Sequence, residues 1–102
     1  MFIAMNRFRV KLGHEADFEM VWKERDTHLK DVAGFVSFNL LRGTTNDEHT
    51  LYASHTIWAS KTQFEQWTKS EAFIKAHRDA GKKRDHYLMP PKFEGFEIIQ
   101  AI

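Results

Sequence analysis

The hydrophobic period of this chain switches between two and about 3.6 in a fixed order, and that order limits the folds open to it. Residues 2–12 alternate, with Phe8, Val10 and Leu12 on one parity and Arg7, Arg9 and Lys11 on the other. This is the pattern of a half-buried strand. Residues 15–32 follow a helical period, with Phe18, Val21, Trp22, Arg25, Leu29 and Val32 on one stripe. Glu15 and Asp17 fall in the first turn, where they suit the helix dipole, and Gly34 follows as a C-terminal cap. Phe35 to Arg42 reads as a second strand, the polar run Gly43 to Glu48 as a turn, and His49 to Trp58 as a third strand. The short link makes these two a hairpin. A helical segment opens at Ser60, and a loop over residues 78–91 ends in Pro90-Pro91, which excludes helix there. Lys92 to Ile102 reads as the last strand, with Gly95 expected to mark a bulge.

The order β-α-β-β-α-β is the split βαβ arrangement of ferredoxin-like α+β folds. Two helical regions cover only one face of a four-stranded antiparallel sheet. Yet the strands carry large apolar groups on both parities: Ile3 and Met5 against Phe2 and Phe8, Tyr52 and Trp58 against Leu51 and Ile57. An uncovered apolar sheet face is a liability. A two-fold homodimer packed sheet on sheet removes it, giving a dimeric α+β barrel. At 102 residues, without repeats or low-complexity tracts, the chain is expected to form one domain spanning 1–102.

Composition narrows the chemistry. The chain has no cysteine, which excludes disulfides, zinc–thiolate sites and thiol nucleophiles. A formal charge of +1 supplies no field that favours nucleic acid. No apolar run approaches the ~20 residues that span a bilayer, and the first residues lack the pattern of a signal peptide, so a cytoplasmic protein is expected.

Two polar residues sit where hydrophobes are expected. Extending the strand-one parity backwards puts Asn6 in line with Phe2, Ala4 and Phe8. A buried amide needs a partner, either a neighbouring loop or a ligand. The second is His77. Ser60 with Gln63 is a capping-box signature, and Phe64 and Trp67 then share a helix face. Ser70 offers a second N-cap, after which Phe73 and His77 share a face four residues apart. A continuous helix would hold Trp67 and His77 roughly 80° apart around its axis. A restart at Ser70 turns both toward one pocket. Taken alone, His77 is either a core histidine bonded to a carbonyl or a ligand.

Asn6, Trp67 and His77 together resemble the Asn–Trp–His triad of the IsdG-type haem-degrading monooxygenases, a branch of the dimeric α+β-barrel superfamily that includes the antibiotic-biosynthesis monooxygenases. The local runs are similar too. Met5-Asn6-Arg7 resembles the family's Glu-Asn-Arg opening of strand one. Trp58-Ala59-Ser60 through Phe64 to Trp67 resembles its W-x-S-x-x-x-F-x-x-W run, and Ser70 through Phe73 to Ala76-His77 its S-x-x-F-x-x-A-H run. Ala33-Gly34-Phe35 resembles the superfamily's P-G-F with alanine for proline. The likeness runs over nearly the whole chain, with the stretch from Gly81 to Pro91 departing in composition.

The resemblance implies an enzyme for which haem is both cofactor and substrate, cleaved with O2 and electrons from an external reductase. It implies His77 as the axial ligand of the iron, Asn6 as a hydrogen-bond donor on the oxygen side, and Trp67 as the group that presses the macrocycle out of plane. A flat apolar ligand wants aromatic walls, for which Phe8, Trp22, Phe64 and Phe73 stand as candidates; each is also an ordinary core residue, and core is the better reading for Phe64. The basic cluster Arg78, Lys82, Lys83 and Arg84 reads as a solvated surface or as an anchor for an anionic group. Among the other histidines, His14, His28 and His49 read as solvated. His55, on an apolar parity, is the rival ligand, and His86 is a candidate distal gate. Two alternatives remain open at this level: a cofactor-free monooxygenase acting on quinols or polyketides, and a non-catalytic haem-binding or delivery protein.

Overall fold

The structure is a computed structural model that describes residues 1–24, 29–71, 73–74 and 86–102. Strand β1 (Phe2–Lys11) leads to helix α1 (Glu15–Glu24), a 3-10 turn at Leu29–Asp31, the hairpin of β2 (Phe35–Thr45) and β3 (His49–Trp58), helix α2 (Lys61–Thr68) and strand β4 (Lys92–Glu97). The four strands form one antiparallel sheet in the order β2-β3-β1-β4. This is the ferredoxin-like α+β arrangement, with α1 and α2 on one face. Among the described residues, no helix is long and apolar enough to cross a membrane.

The even-numbered residues of β1 point at the helices. Phe2, Ala4, Phe8 and Val10 are buried there, as are Tyr52 and Trp58 from β3. These residues form two separate clusters. Phe2, Ala4, Leu29 and Trp58 make one, packed by Val32, Phe35, Phe38, Phe64 and Trp67. Phe8, Val10, Phe18 and Tyr52 make the other, packed by Trp22, Leu40 and Tyr87.

Polar contacts secure the second cluster against α1. The Thr50 hydroxyl donates to Glu15 Oε2 at 2.9 Å, and the Tyr52 hydroxyl donates to Glu19 Oε2. Backbone hydrogen bonding, aided by Thr50, holds the Glu15 carboxyl below its usual range. Burial, then the bond to Glu19, pushes the Tyr52 phenol up to about 12. The hairpin turn closes through Asn46, whose Oδ1 accepts from the backbone N–H groups of Glu48 and His49 at 2.8 and 2.9 Å.

Four local expectations change. The second strand runs to Thr45 rather than Arg42, because its pairing resumes past a register shift with Thr45 opposite Thr50. The single helix over 15–32 is not continued to its end, because Leu29–Asp31 is a 3-10 turn leading to Gly34 at φ +88°. The last strand stops at Glu97 rather than Ile102, because β1 begins at Phe2 and the Ile98 N–H bonds Met1 O beyond it. Gly95 marks no bulge. The β1–β4 register runs unbroken past it, and a Cβ there would meet Phe2 Cζ at 2.7 Å. Its role is close approach of a strand to a ring.

Candidate functional site

Strand register decides what lies between the two clusters. Asn6 pairs with Ser54 of β3 on one side and Phe93 of β4 on the other, and Ser54 pairs with Leu40 of β2. The row Leu40–Ser54–Asn6–Phe93 therefore crosses the helix-facing side of the sheet. Ala4, one step along β1, belongs to the first cluster, and Phe8, one step the other way, to the second. Asn6 and Ser54 belong to neither. They form a polar seam between two aromatic masses. Asn6 is half-buried and Ser54 is 6% exposed. Among the described residues, no hydrogen bond engages either side chain.

The walls come from the helices. On α1, Trp22 stacks on Phe38 with centroids 5.6 Å apart and planes at 21°, and meets Phe8 edge-on at 5.8 Å. Phe8 is 6% exposed and also touches Phe18 and Tyr87, so it braces Trp22 from within the core. On α2, half-buried Trp67 lies 5.2 Å from Trp58 and 6.2 Å from Phe64. Phe64 packs on Phe2 and Trp58 and stacks on Phe93 with planes 3° apart, which makes it part of the first cluster.

Both serines of the second helical region cap as the sequence suggests. Ser60 Oγ accepts from Gln63 N–H at 3.1 Å. At the other end, Ser70 N–H and Oγ–H both donate to Trp67 O, at 2.9 and 2.6 Å. Ser70 Oγ then accepts from Phe73 N–H at 3.2 Å and starts a new turn. The break aims the Phe73 ring edge-on at Trp67, with centroids 4.7 Å apart and planes at 88°. Trp67 is thus held between Trp58 and Phe73. His77, His28 and the basic cluster Arg78, Lys82, Lys83 and Arg84 lie outside the described residues.

The remaining histidines fall differently from their sequence reading. His55 pairs with Met5 and Asn39 on the helix-free face of the sheet, opposite to Asn6, and so points away from the seam. His14 and His86, 72 positions apart, are half-buried and bonded to each other, Nδ1 to Nδ1, at 3.3 Å. Neither is a free surface group. Tyr87, next to His86, bridges Val10, and Leu88 N–H donates to Arg9 O at 2.8 Å. His49 Nδ1 is buried without a partner among the described residues. Among those residues, no three His, Asp or Glu gather around a common point.

The seam and its walls suit a flat, apolar ligand with a polar feature facing the sheet. Asn6, Trp22, Trp67 and Phe73 are the described residues that would touch it. Sequence reasoning missed Ser54. Its signal was a small hydroxyl amid the large groups Tyr52 and Trp58 of one strand parity, the same kind of interruption that singled out Asn6.

A family model described as antibiotic biosynthesis monooxygenase matches residues 1–79. No curated protein matches by sequence. Solved structures match over nearly the whole chain. A putative antibiotic biosynthesis monooxygenase from Bacillus cereus is 20% identical, with TM-score 0.79, covering 99% of this chain and 93% of that one. The haem degrader MhuD from Mycobacterium tuberculosis, with two haems bound in its active site, is 25% identical, with TM-score 0.77 and coverage of 100% and 99%. SnoaB from Streptomyces nogalater, a cofactor-independent oxygenase, is 24% identical, with TM-score 0.70 and coverage of 99% and 95%.

Proposed function

The chain belongs to the antibiotic biosynthesis monooxygenase family, and on that premise we propose that it is a haem-degrading monooxygenase, using O2 and electrons from an external reductase. The observation that carries this reading is the half-buried Asn6 amide, without a hydrogen-bonded partner among the described residues, in a seam between two aromatic clusters. An amide left unbonded at such a place costs stability unless a ligand engages it. The likeness to the haem degrader MhuD supports the choice of ligand.

Bound haem would supply the iron that activates O2 and the macrocycle that is oxidised. The chain's own contributions follow from its geometry. Asn6, on a central strand and on its helix-facing side, would offer its Nδ2–H to an oxygen held on the sheet side of the ligand. Trp67, backed by Trp58 and Phe73, would press a rigid indole against the bound ligand. Trp22, backed by Phe38 and Phe8, closes the α1 side and excludes water. His77, four residues after Phe73, would hold the iron through a ring nitrogen. His55 is set aside as a ligand because it faces away from the seam.

The proposal includes a homodimer through the helix-free face. Ile3, Met5, Ala53 and Ile57 lie there half-buried, beside exposed Leu41 and Phe96. That side needs a cover which the described residues do not supply.

The test is haem titration of the wild type and of His77→Ala, followed by absorbance. A saturable Soret band in the wild type, altered in the variant, is the expected result. A wild type that gives no Soret band overturns the haem reading and leaves the cofactor-independent one. A variant with the wild-type spectrum overturns the assignment of His77.

A further inference from the structure

Ser54 is the other half of the seam and has no assigned part. It sits directly across from Asn6 in the β1–β3 register, on the same face of the sheet. Paired residues on antiparallel strands have Cα atoms about 4.5–5.5 Å apart, so the two side chains stand side by side. Ser54 is 6% exposed, and among the described residues its hydroxyl forms no hydrogen bond. Among the described residues it is not one of the polar atoms sealed in the core without a partner, as His49 Nδ1 and Trp58 Nε1 are, so its oxygen opens on the seam.

The neighbouring hydroxyls behave differently. Thr56, two residues on, spends its proton on Ala4 O at 3.1 Å, and Thr50 donates to Glu15. Those groups hold the fold together. Among the hydroxyls on this face of β3, Ser54 keeps its donor uncommitted among the described residues, beside an amide in the same condition. A fold that wanted packing here would be served by alanine or valine.

We infer that Ser54 is a second hydrogen-bond donor of the site, acting with Asn6 on a small oxygen-bearing ligand held on the sheet side of the haem. A hydroxyl carries one donor and two acceptor positions. Ser54 can therefore accept from Asn6 Nδ2–H while giving its own proton to the ligand, which fixes the amide's orientation as well. The inference rests on the haem reading.

The test uses the haem-loaded protein with two probes that need no turnover: cyanide affinity of the ferric form and the C–O stretching frequency of the ferrous carbonyl complex. A donor near the bound probe tightens cyanide binding and lowers the stretch. Ser54→Ala is expected to weaken cyanide binding by about 3- to 10-fold, the range for one net hydrogen bond, and to raise the stretch. Ser54→Thr, which keeps the hydroxyl, is expected to restore both toward the wild type. Haem affinity and melting temperature should stay near wild type in Ser54→Ala, because no hydrogen bond among the described residues is lost. A wild type that binds haem, with Asn6→Ala moving both probes and Ser54→Ala moving neither, overturns the role of Ser54 alone. A wild type that binds no haem overturns the haem reading and this inference together.

Discussion

Replacing Asn6 by leucine separates a ligand-facing amide from a structural one. The Asn6 side chain forms no hydrogen bond among the described residues, so its removal strands no partner there. The usual penalty of about 1–3 kcal/mol for an orphaned buried group is therefore absent. Leucine at the same place joins Ala4 and Phe8 and bridges the two clusters. Fully burying a leucine side chain stabilises by roughly 1.5–3 kcal/mol. For a half-buried site, about 1 kcal/mol is a fair share. A domain of this size gains about 4 °C in melting temperature for each such step. Turnover should move the other way. Loss of one preorganised donor aimed at developing charge costs on the order of 100-fold in rate. The assay pairs thermal unfolding of the haem-free protein with degradation rate per haem-loaded protein. A fold stabilised or unchanged with turnover largely lost is expected. A melting temperature lowered by more than about 5 °C with unchanged turnover would refute the reasoning and make Asn6 a structural amide.

Trp67→Phe should degrade haem faster than Trp67→Ala, and both more slowly than wild type, because a phenyl ring keeps part of the bulk that Trp58 and Phe73 support; equal rates per loaded protein would leave Trp67 as packing. The same alanine change should cost about 3 kcal/mol in denaturant unfolding, at the low end for an aromatic truncation since Trp67 is half-buried. Alkaline stability should depend on Tyr52. Its folded-state pKa is raised from 10.0 to about 12, so its stabilisation is fully present below pH 10 and is lost as pH rises toward 12. Tyr52→Phe should lack that decline in urea unfolding between pH 9 and 11, and an identical decline in both proteins would assign it to other groups. Light scattering at micromolar concentration should return a dimer, and Ile57→Lys on the helix-free face should return a monomer with the same far-UV spectrum; a wild-type monomer would dismiss the sheet-on-sheet interface.

Local signals in the sequence survived into the structure, and long-range ones did not announce themselves. The β-α-β-β-α-β order, the hairpin at Asn46 and the caps at Ser60 and Ser70 all depend on residues within a few positions of one another, and all stand. So does the orientation of Asn6, which strand parity alone determines. The role of Gly95 depended on a ring contributed by Phe2, at the other end of the chain. The length of β4 depended on where β1 begins. The His14–His86 bond joins positions 72 apart, so nothing near either residue signals it. His55 shows the limit of parity: its strand face was legible, but which face the helices cover was decided by the sheet as a whole. Ser54 was visible as a small polar residue, and only pairing with Asn6 gave it meaning.

The most direct test of haem degradation follows the Soret band and ferrous iron on one sample. Haem-loaded protein is given ascorbate in air, with catalase present to remove free peroxide and a chelator to report iron. The expected result is loss of the Soret band with release of one iron per haem, at a rate well above that of haem without protein. A Soret band that persists under these conditions, on protein that binds haem through His77, would contradict the assignment and make the chain a haem carrier.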